Sequence, residues 1–168
     1  MVTTLAGEAA VGHEPHLAGV ITPPPLIYAA TFGAGLLFNR LASLPAVRIP
    51  ATRAVGASLL LGGLGLSIWG FLTMHKAGTP VIPTKPTTAL VTEGPFQYTR
   101  NPLYLGMAVA YKGLALWLGQ IGPLLLLPVA VAVMQRGVIE REEHYLERKF
   151  GSAYQAYRAA TPRWLFGW

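Results

Sequence analysis

The chain has 168 residues, of which 52% are hydrophobic and 12% charged, about half the roughly 25% charge of an average soluble domain. That balance describes a single-domain membrane protein, and with no cysteine it excludes disulfides, thiolate metal sites and a cysteine nucleophile. The net charge of +6 falls beside apolar runs, where attraction to anionic lipid accounts for it, so nucleic acid is set aside as a partner.

Residues 1–25 form a polar tail with Glu8, Glu14, His13 and His16 but no Lys or Arg, so they lack the basic start of a signal peptide. The two histidines have no companion ligands, and no metal is expected. Residues 26–44 are the first candidate span and 54–74 the second, both predicted helical because lipid leaves the backbone no other way to satisfy its polar groups. Gly62, Gly63, Gly65 and Gly70 in the second span are expected to allow close helix approach. From 75 to 99 the chain is polar and broken by Pro80, Pro83, Pro86, Gly78 and Gly94, which predicts a long ordered loop or lid, with 88–92 extended at the interface.

Within 94–106, GPFQYTRNPLYLG combines a Gly-Pro turn, a cation, and Asn101-Pro102 as N-cap and first helical residue. The helix that begins there directs free N–H groups and its positive dipole end into the loop, a setting suited to a carboxylate. The third span, 103–118, holds Lys112 near its middle, and a turn at 120–123 leads into a fourth run, 124–134, that is short for a crossing. This run is predicted to kink at Pro128 and to continue past Gln135 and Arg136. Residues 138–150 then read as an amphipathic helix stopped at Gly151, followed by a short helix capped by Ser152 and ended by Pro162. The aromatic tail Trp164, Phe166 and Trp168 suits a membrane interface.

The predicted architecture is all-α, with four transmembrane helices plus cytoplasmic amphipathic C-terminal helices. Four crossings put nine basic residues on the side of the termini and the 75–102 loop, against Arg40, Arg48 and Arg53 on the other, so the termini are expected to be cytoplasmic. On the 138–150 helix, Glu142 falls inside the stripe of Val138, Ile139, Tyr145, Leu146 and Phe150, while Glu140, Glu143 and Glu147 are predicted to point away. A carboxylate on that face needs a partner. It either pairs with Lys149 or Arg100, or is held against a polar or cationic ligand. With the Asn101-Pro102 helix start on the same side, one pocket has both an anion-friendly end and an acid, a combination suited to a zwitterion.

The block at 94–106 followed by EREEHYLERKFGSAYQAY at 140–157, with a helical hairpin between, resembles the small integral-membrane methyltransferases of the isoprenylcysteine carboxyl methyltransferase and phospholipid N-methyltransferase family. The resemblance covers about residues 85–163. It implies S-adenosylmethionine as cofactor, held by Thr88, Ala89, Leu90, Val91, Phe96, Asn101, Pro102, Leu103, Tyr104 and Glu142. Candidate catalytic residues are Arg100, Tyr104 and Lys112. The implied partner is a lipid or other lipophilic acceptor in the bilayer, a phospholipid amine or an isoprenylcysteine-like carboxylate or thiol; the oligomeric state is left open. Asn101 stands where many members have His, which removes a titrating base, and Val138 falls about where the isoprenylcysteine enzymes have an arginine, unless Arg136 or Arg141 replaces it. Lys112, with no acid in any span, either snorkels to the interface or contacts the acceptor's phosphate or carboxylate. The competing reading is a non-enzymatic transporter subunit or assembly protein on the same scaffold.

Overall fold

Why the chain changes direction where it does is visible in its prolines and glycines. In the computed structural model, residues 19–47, 49–81 and 86–165 are described. The tail residues Glu8, His13, Glu14 and His16, together with Arg48, Pro83, Lys85, Phe166 and Trp168, lie outside them. Helices α1 (Pro24–Leu41), α2 (Pro50–Lys76) and α3 (Pro102–Leu118) each begin on a proline in the first turn, where the missing N–H leaves no bond unmade. Gly119, at φ 68° and ψ 30°, ends α3 in the left-handed region that a side chain disfavours. Helix α4 (Ile121–Met134) passes through a π turn (Gln135–Ile139) straight into α5 (Glu140–Phe150), and α6 (Ser152–Ala160) follows a sharp bend at Gly151. Among the described residues all regular structure is helical.

Two helices are long and apolar enough to cross a membrane: α2, with 27 residues, and the continuous Ile121–Phe150, with 30. Helices α1 and α3 have 18 and 17 residues and are not among them, although α3 is apolar. The outer faces of α1 and α2 expose Leu37, Leu41, Leu61, Ile68 and Phe71, an apolar surface of a kind that soluble monomers rarely present.

Helices α2 and α3 run antiparallel along a seam of glycines. A side chain at Gly56 would strike Gly113 and Trp117, one at Gly63 would strike Gly106 and Ala110, and one at Gly70 would meet Leu103. The spacing of seven residues on both helices keeps these positions on one face. Gly62 and Gly65, predicted to share this role, face open space instead. The Ser67 hydroxyl adds a hydrogen bond to the Leu103 carbonyl at 3.1 Å. A second close approach joins α1 to α4, where Gly35 abuts Gly122 and Pro123, and Asn39 Oδ1 accepts the Gly122 N–H at 2.9 Å. Between these pairs lies a core of Ile27, Tyr28, Tyr104, Tyr111, Ala130, Met134, Val138 and Ile139.

Two predicted caps are corrected. Asn101 does occupy the position before α3, but its side chain makes no capping bond; Nδ2 donates to the Arg163 carbonyl at 3.2 Å. Ser152 is the first residue of α6 rather than its cap, because Gly151 at φ 53° takes that place.

Candidate active site

At one end of the helices, the loop after α2, the start of α3, and the helices α5 and α6 enclose a cavity. The loop reaches it through hydrogen bonds of its own threonines. The buried Thr79 hydroxyl oxygen accepts the N–H groups of Thr88 and Ala89 at 3.0 and 3.4 Å, and the Thr88 hydroxyl donates to the Gly78 carbonyl at 2.8 Å. Thr87 donates its N–H to the Tyr145 hydroxyl of α5 at 3.2 Å. This clamp turns Ala89, Leu90 and Val91 towards the cavity and spends Thr88 on the loop itself, so Thr88 is not a lining residue while its neighbour Thr87 is. The 88–92 stretch has no regular structure.

The next wall is the 3-10 turn Gly94–Gln97, whose Phe96 is buried and whose carbonyl accepts the Tyr157 hydroxyl of α6 at 2.7 Å. Arg100 donates its backbone N–H to the Pro162 carbonyl at 2.9 Å, and Thr99 donates its hydroxyl to the Arg163 carbonyl at 2.8 Å. The segment after α6 is thereby sewn to the entrance of α3. Phe96, Arg100, Asn101, Pro102, Leu103, Tyr104 and Glu142 all line the cavity, and so do Glu143, Tyr145, Leu146, Tyr154 and Tyr157.

Two adjacent carboxylates of α5 have different partners. Glu142 accepts the Tyr104 hydroxyl at 2.7 Å and, among the described residues, has no Lys or Arg within ion-pair distance. Neither of the salt bridges considered for it, to Lys149 or Arg100, is formed; the Lys149 ammonium donates instead to the Tyr145 hydroxyl at 3.2 Å. Glu143, predicted to point away, is 7% exposed and sits between two guanidinium groups. Arg163 grips it with Nε at 3.1 Å and Nη2 at 2.6 Å, and Arg100 Nη1 lies 2.9 Å from Oε1. The correction has a physical cause. A wheel of α5 alone assumes one buried face, whereas α6 and the strand of chain after it cover the opposite face and bring Arg163 to it.

The cluster extends one residue further, because Arg163 Nη1 also lies 3.6 Å from Glu140 Oε1, so two guanidinium groups meet two carboxylates beside the cavity. Arg100 Nε is buried and has no hydrogen-bond partner, which leaves one charged donor unspent. The Glu143 fork raises the affinity of Arg163 for its proton above the ordinary value, and burial raises that of the Tyr154 and Tyr157 hydroxyls, so these groups keep their protons at neutral pH. The cavity lining thus combines the Arg100 guanidinium, already paired with Glu143, and a Glu142 carboxylate with no cation beside it among the described residues, between apolar walls of Leu90, Val91, Leu103 and Leu146.

Lys112 is not part of this arrangement. It is exposed on α3 and lines a separate groove against α4 with Arg136. Glu143, Arg163 and Thr87 were missed by sequence reasoning. Tyr154 and Tyr157, three apart on α6 and so on one face, carried the only local signal that α6 contributes a wall. Among the described residues no group of three or more His, Asp or Glu side chains gathers as metal ligands.

Two helices long and apolar enough to cross a bilayer, with a cavity at one end of the helices, describe an α-helical protein of the membrane-associated class. The chain belongs to the phospholipid methyltransferase family, whose pattern matches residues 51–153. That match begins at α2, well before the 85–163 region that carries the resemblance in sequence. A protein-S-isoprenylcysteine O-methyltransferase of Schizosaccharomyces pombe is 34% identical over 73 residues, 44% of this chain and 31% of that protein. The nickel-cobalt-cadmium resistance protein NccN of Alcaligenes xylosoxydans xylosoxydans is 36% identical over 78 residues, 46% of this chain and 36% of its own length. An uncharacterized Haemophilus influenzae protein is 36% identical over 63 residues, 38% of this chain and all of its own. The chain thus spans about a third of the two named relatives. No solved structure matches it.

Proposed function

We propose that the protein transfers a methyl group from S-adenosylmethionine to a lipophilic acceptor presented from the bilayer. The observation that carries this reading is that one cavity is lined both by the Tyr104–Glu142 pair, at 2.7 Å, and by Arg100 at the start of α3. A zwitterionic amino acid group fits such a pair: the carboxylate to Arg100 and the start of α3, the ammonium to Glu142. The apolar residues Leu90, Val91 and Leu146 suit the flat face of a nucleoside. Family membership supports the same chemistry.

When bound, the sulfonium cofactor supplies an already activated methyl group. The chain's own residues then have little acid or base work to do. Glu142 and Arg100 orient the ligand, Tyr104 holds the Glu142 carboxylate in one rotamer, and the loop residues 87–91 exclude water. Asn101 cannot take a proton and here ties the start of α3 to the Arg163 carbonyl. The cavity measures about 110 Å³, below the roughly 300–1,000 Å³ of pockets that bury such ligands. The loop wall therefore has to move outwards on binding, as a lid does.

The test is thermal unfolding of the purified protein with S-adenosylhomocysteine. A native-state ligand at 100 times its dissociation constant stabilises by about 2.7 kcal/mol, which raises the melting temperature by a few degrees. No shift at saturating ligand favours the non-enzymatic reading, a transporter subunit or assembly protein. We further read α1 to α4 as four crossings with both termini cytoplasmic, supported by the nine-to-three division of basic residues. A reporter fused after Trp168 that is active only on the extracytoplasmic side contradicts this topology.

A further inference from the structure

Beside the glycine seam on α3 rather than on it, a groove of about 700 Å³ runs between α3 and α4. Its walls are Leu116, Leu124, Leu127, Val131 and Ala132, and its only charged members are Lys112 and Arg136. It shares no residue with the cavity at the Tyr104–Glu142 pair. Both basic residues are exposed, and neither forms an ion pair among the described residues. Glu140 lies one helical turn beyond Arg136, where an i,i+4 pair is possible. Its carboxylate is turned elsewhere, 3.6 Å from Arg163 Nη1 and 3.5 Å from the Gln135 amide.

Two uncompensated cations on an apolar, outward-facing groove are costly in a bilayer, where a central lysine alone costs at least ~2.5 kcal/mol on insertion scales. The geometry removes that cost if one anion meets both. Because α3 and α4 are antiparallel, Lys112 and Arg136 stand roughly 14 Å apart along the helix axis at a rise of 1.5 Å per residue. Side chains on a helix lean towards its N-terminus. On α3 that direction leads from Lys112 towards the level of Arg136, and on α4 it leads from Arg136 back towards Lys112. The ordinary lean of helical side chains thus directs these two towards each other along the groove.

We infer that the α3–α4 groove is a binding site for an anionic phospholipid, whose phosphate lies between Lys112 and Arg136 and whose acyl chain lies along Leu116, Leu124, Leu127 and Val131. The site is structural or regulatory and is separate from the cavity proposed for methyl transfer. A zwitterionic lipid fits it less well, because its ammonium finds no carboxylate there. Basic pockets between helices at the cytoplasmic level are a known setting for anionic head groups.

Delipidated protein in a neutral detergent, titrated with phosphatidylglycerol, phosphatidylcholine or glycerol phosphate and read by native mass spectrometry and by melting temperature, tests this. The expected result is preferential retention of phosphatidylglycerol. Lys112→Met and Arg136→Gln should each weaken it about fivefold, and the double variant roughly thirtyfold, while Lys112→Arg keeps the affinity. Melting temperatures measured without lipid, and the shift given by S-adenosylhomocysteine, should stay near wild type in all variants, which separates this site from the cavity. Equal retention of phosphatidylcholine overturns the charge argument. Equal protection by glycerol phosphate overturns the lipid assignment in favour of a free anion. Unchanged phosphatidylglycerol affinity in a folded double variant overturns the site altogether.

Discussion

Along the α2–α3 seam, Gly56, Gly63, Gly106 and Gly113 bring two backbones together with no charge between them, whereas at the far end Arg100, Glu143 and Arg163 join α3, α5 and the chain after α6 through ions. The seam joins two apolar helices through glycines, so shape complementarity holds them. At the polar end charge holds the walls, while Glu142 accepts only a tyrosine hydroxyl. Shape thus builds the frame, and electrostatics builds the site.

That contrast can be broken at several points. The largest effect is expected for Glu143→Ala, which leaves two guanidinium groups facing each other without their anion; losing one partner of a buried ion pair costs about 3–5 kcal/mol. Thermal unfolding in detergent reads it, and a change below about 1 kcal/mol would mean that the triad is not what closes the polar end. Next is Gly63→Ala, whose added methyl meets Gly106 and Ala110 and should cost about 1–3 kcal/mol as overpacking. Gly62→Ala, in open space, should stay within about 0.5 kcal/mol of wild type. Equal effects from the two glycines would remove the seam as the organising contact.

A smaller effect, on binding rather than stability, sharpens the difference between the neighbouring carboxylates. Glu142→Gln should weaken S-adenosylhomocysteine binding about tenfold, roughly 1.4 kcal/mol, with little change in the ligand-free melting temperature. Glu147→Gln should leave binding alone, since Glu147 lies outside the cavity lining and meets the half-exposed Arg158 and the Gln155 amide, each at 3.3 Å. Isothermal titration decides, and equal affinities for the two variants would place the ligand elsewhere. A modest stability loss is expected for Asn101→Ala, which loses the bond to the Arg163 carbonyl and should cost about 0.5–1.5 kcal/mol; a neutral outcome in the same unfolding assay would show that the Thr99 and Arg100 bonds suffice to secure that junction.

Helix boundaries were legible where their punctuation is local, as at Pro102 and Gly151, whereas α1 and α2 begin two and four residues before the predicted spans because Pro24 and Pro50 belong to their first turns. Glu142 stood out for the same reason, as a charge within an apolar stripe of its own helix. What could not be read is whatever a distant segment supplies. Glu143 looks solvated on a wheel of α5, and only the return of Arg163 from beyond α6 shows otherwise. The Tyr104–Glu142 bond joins residues 38 apart, so the two cations nearest in sequence pattern, Lys149 and Arg100, were the available guesses. The glycine register failed similarly: Gly62 and Gly63 are neighbours in sequence, but only the α3 backbone decides which of them is the contact. Thr88 was displaced by a single residue, because a loop has no periodicity to say which threonine turns inward.

The uninterrupted passage from Ile121 to Phe150 also acts as a ruler. Thirty residues measure about 45 Å at 1.5 Å each, against a hydrocarbon thickness of about 30 Å. The unbroken helix therefore holds Glu142 at a set distance along its axis from the apolar residues of α4, at a set angle. One residue inserted into α4 would lift that carboxylate by about 1.5 Å and swing it by roughly 100°, away from Tyr104, without touching either residue. The π turn at Gln135–Ile139 is where such an extra residue is already absorbed, and it lies one turn before the carboxylate whose bearing it sets.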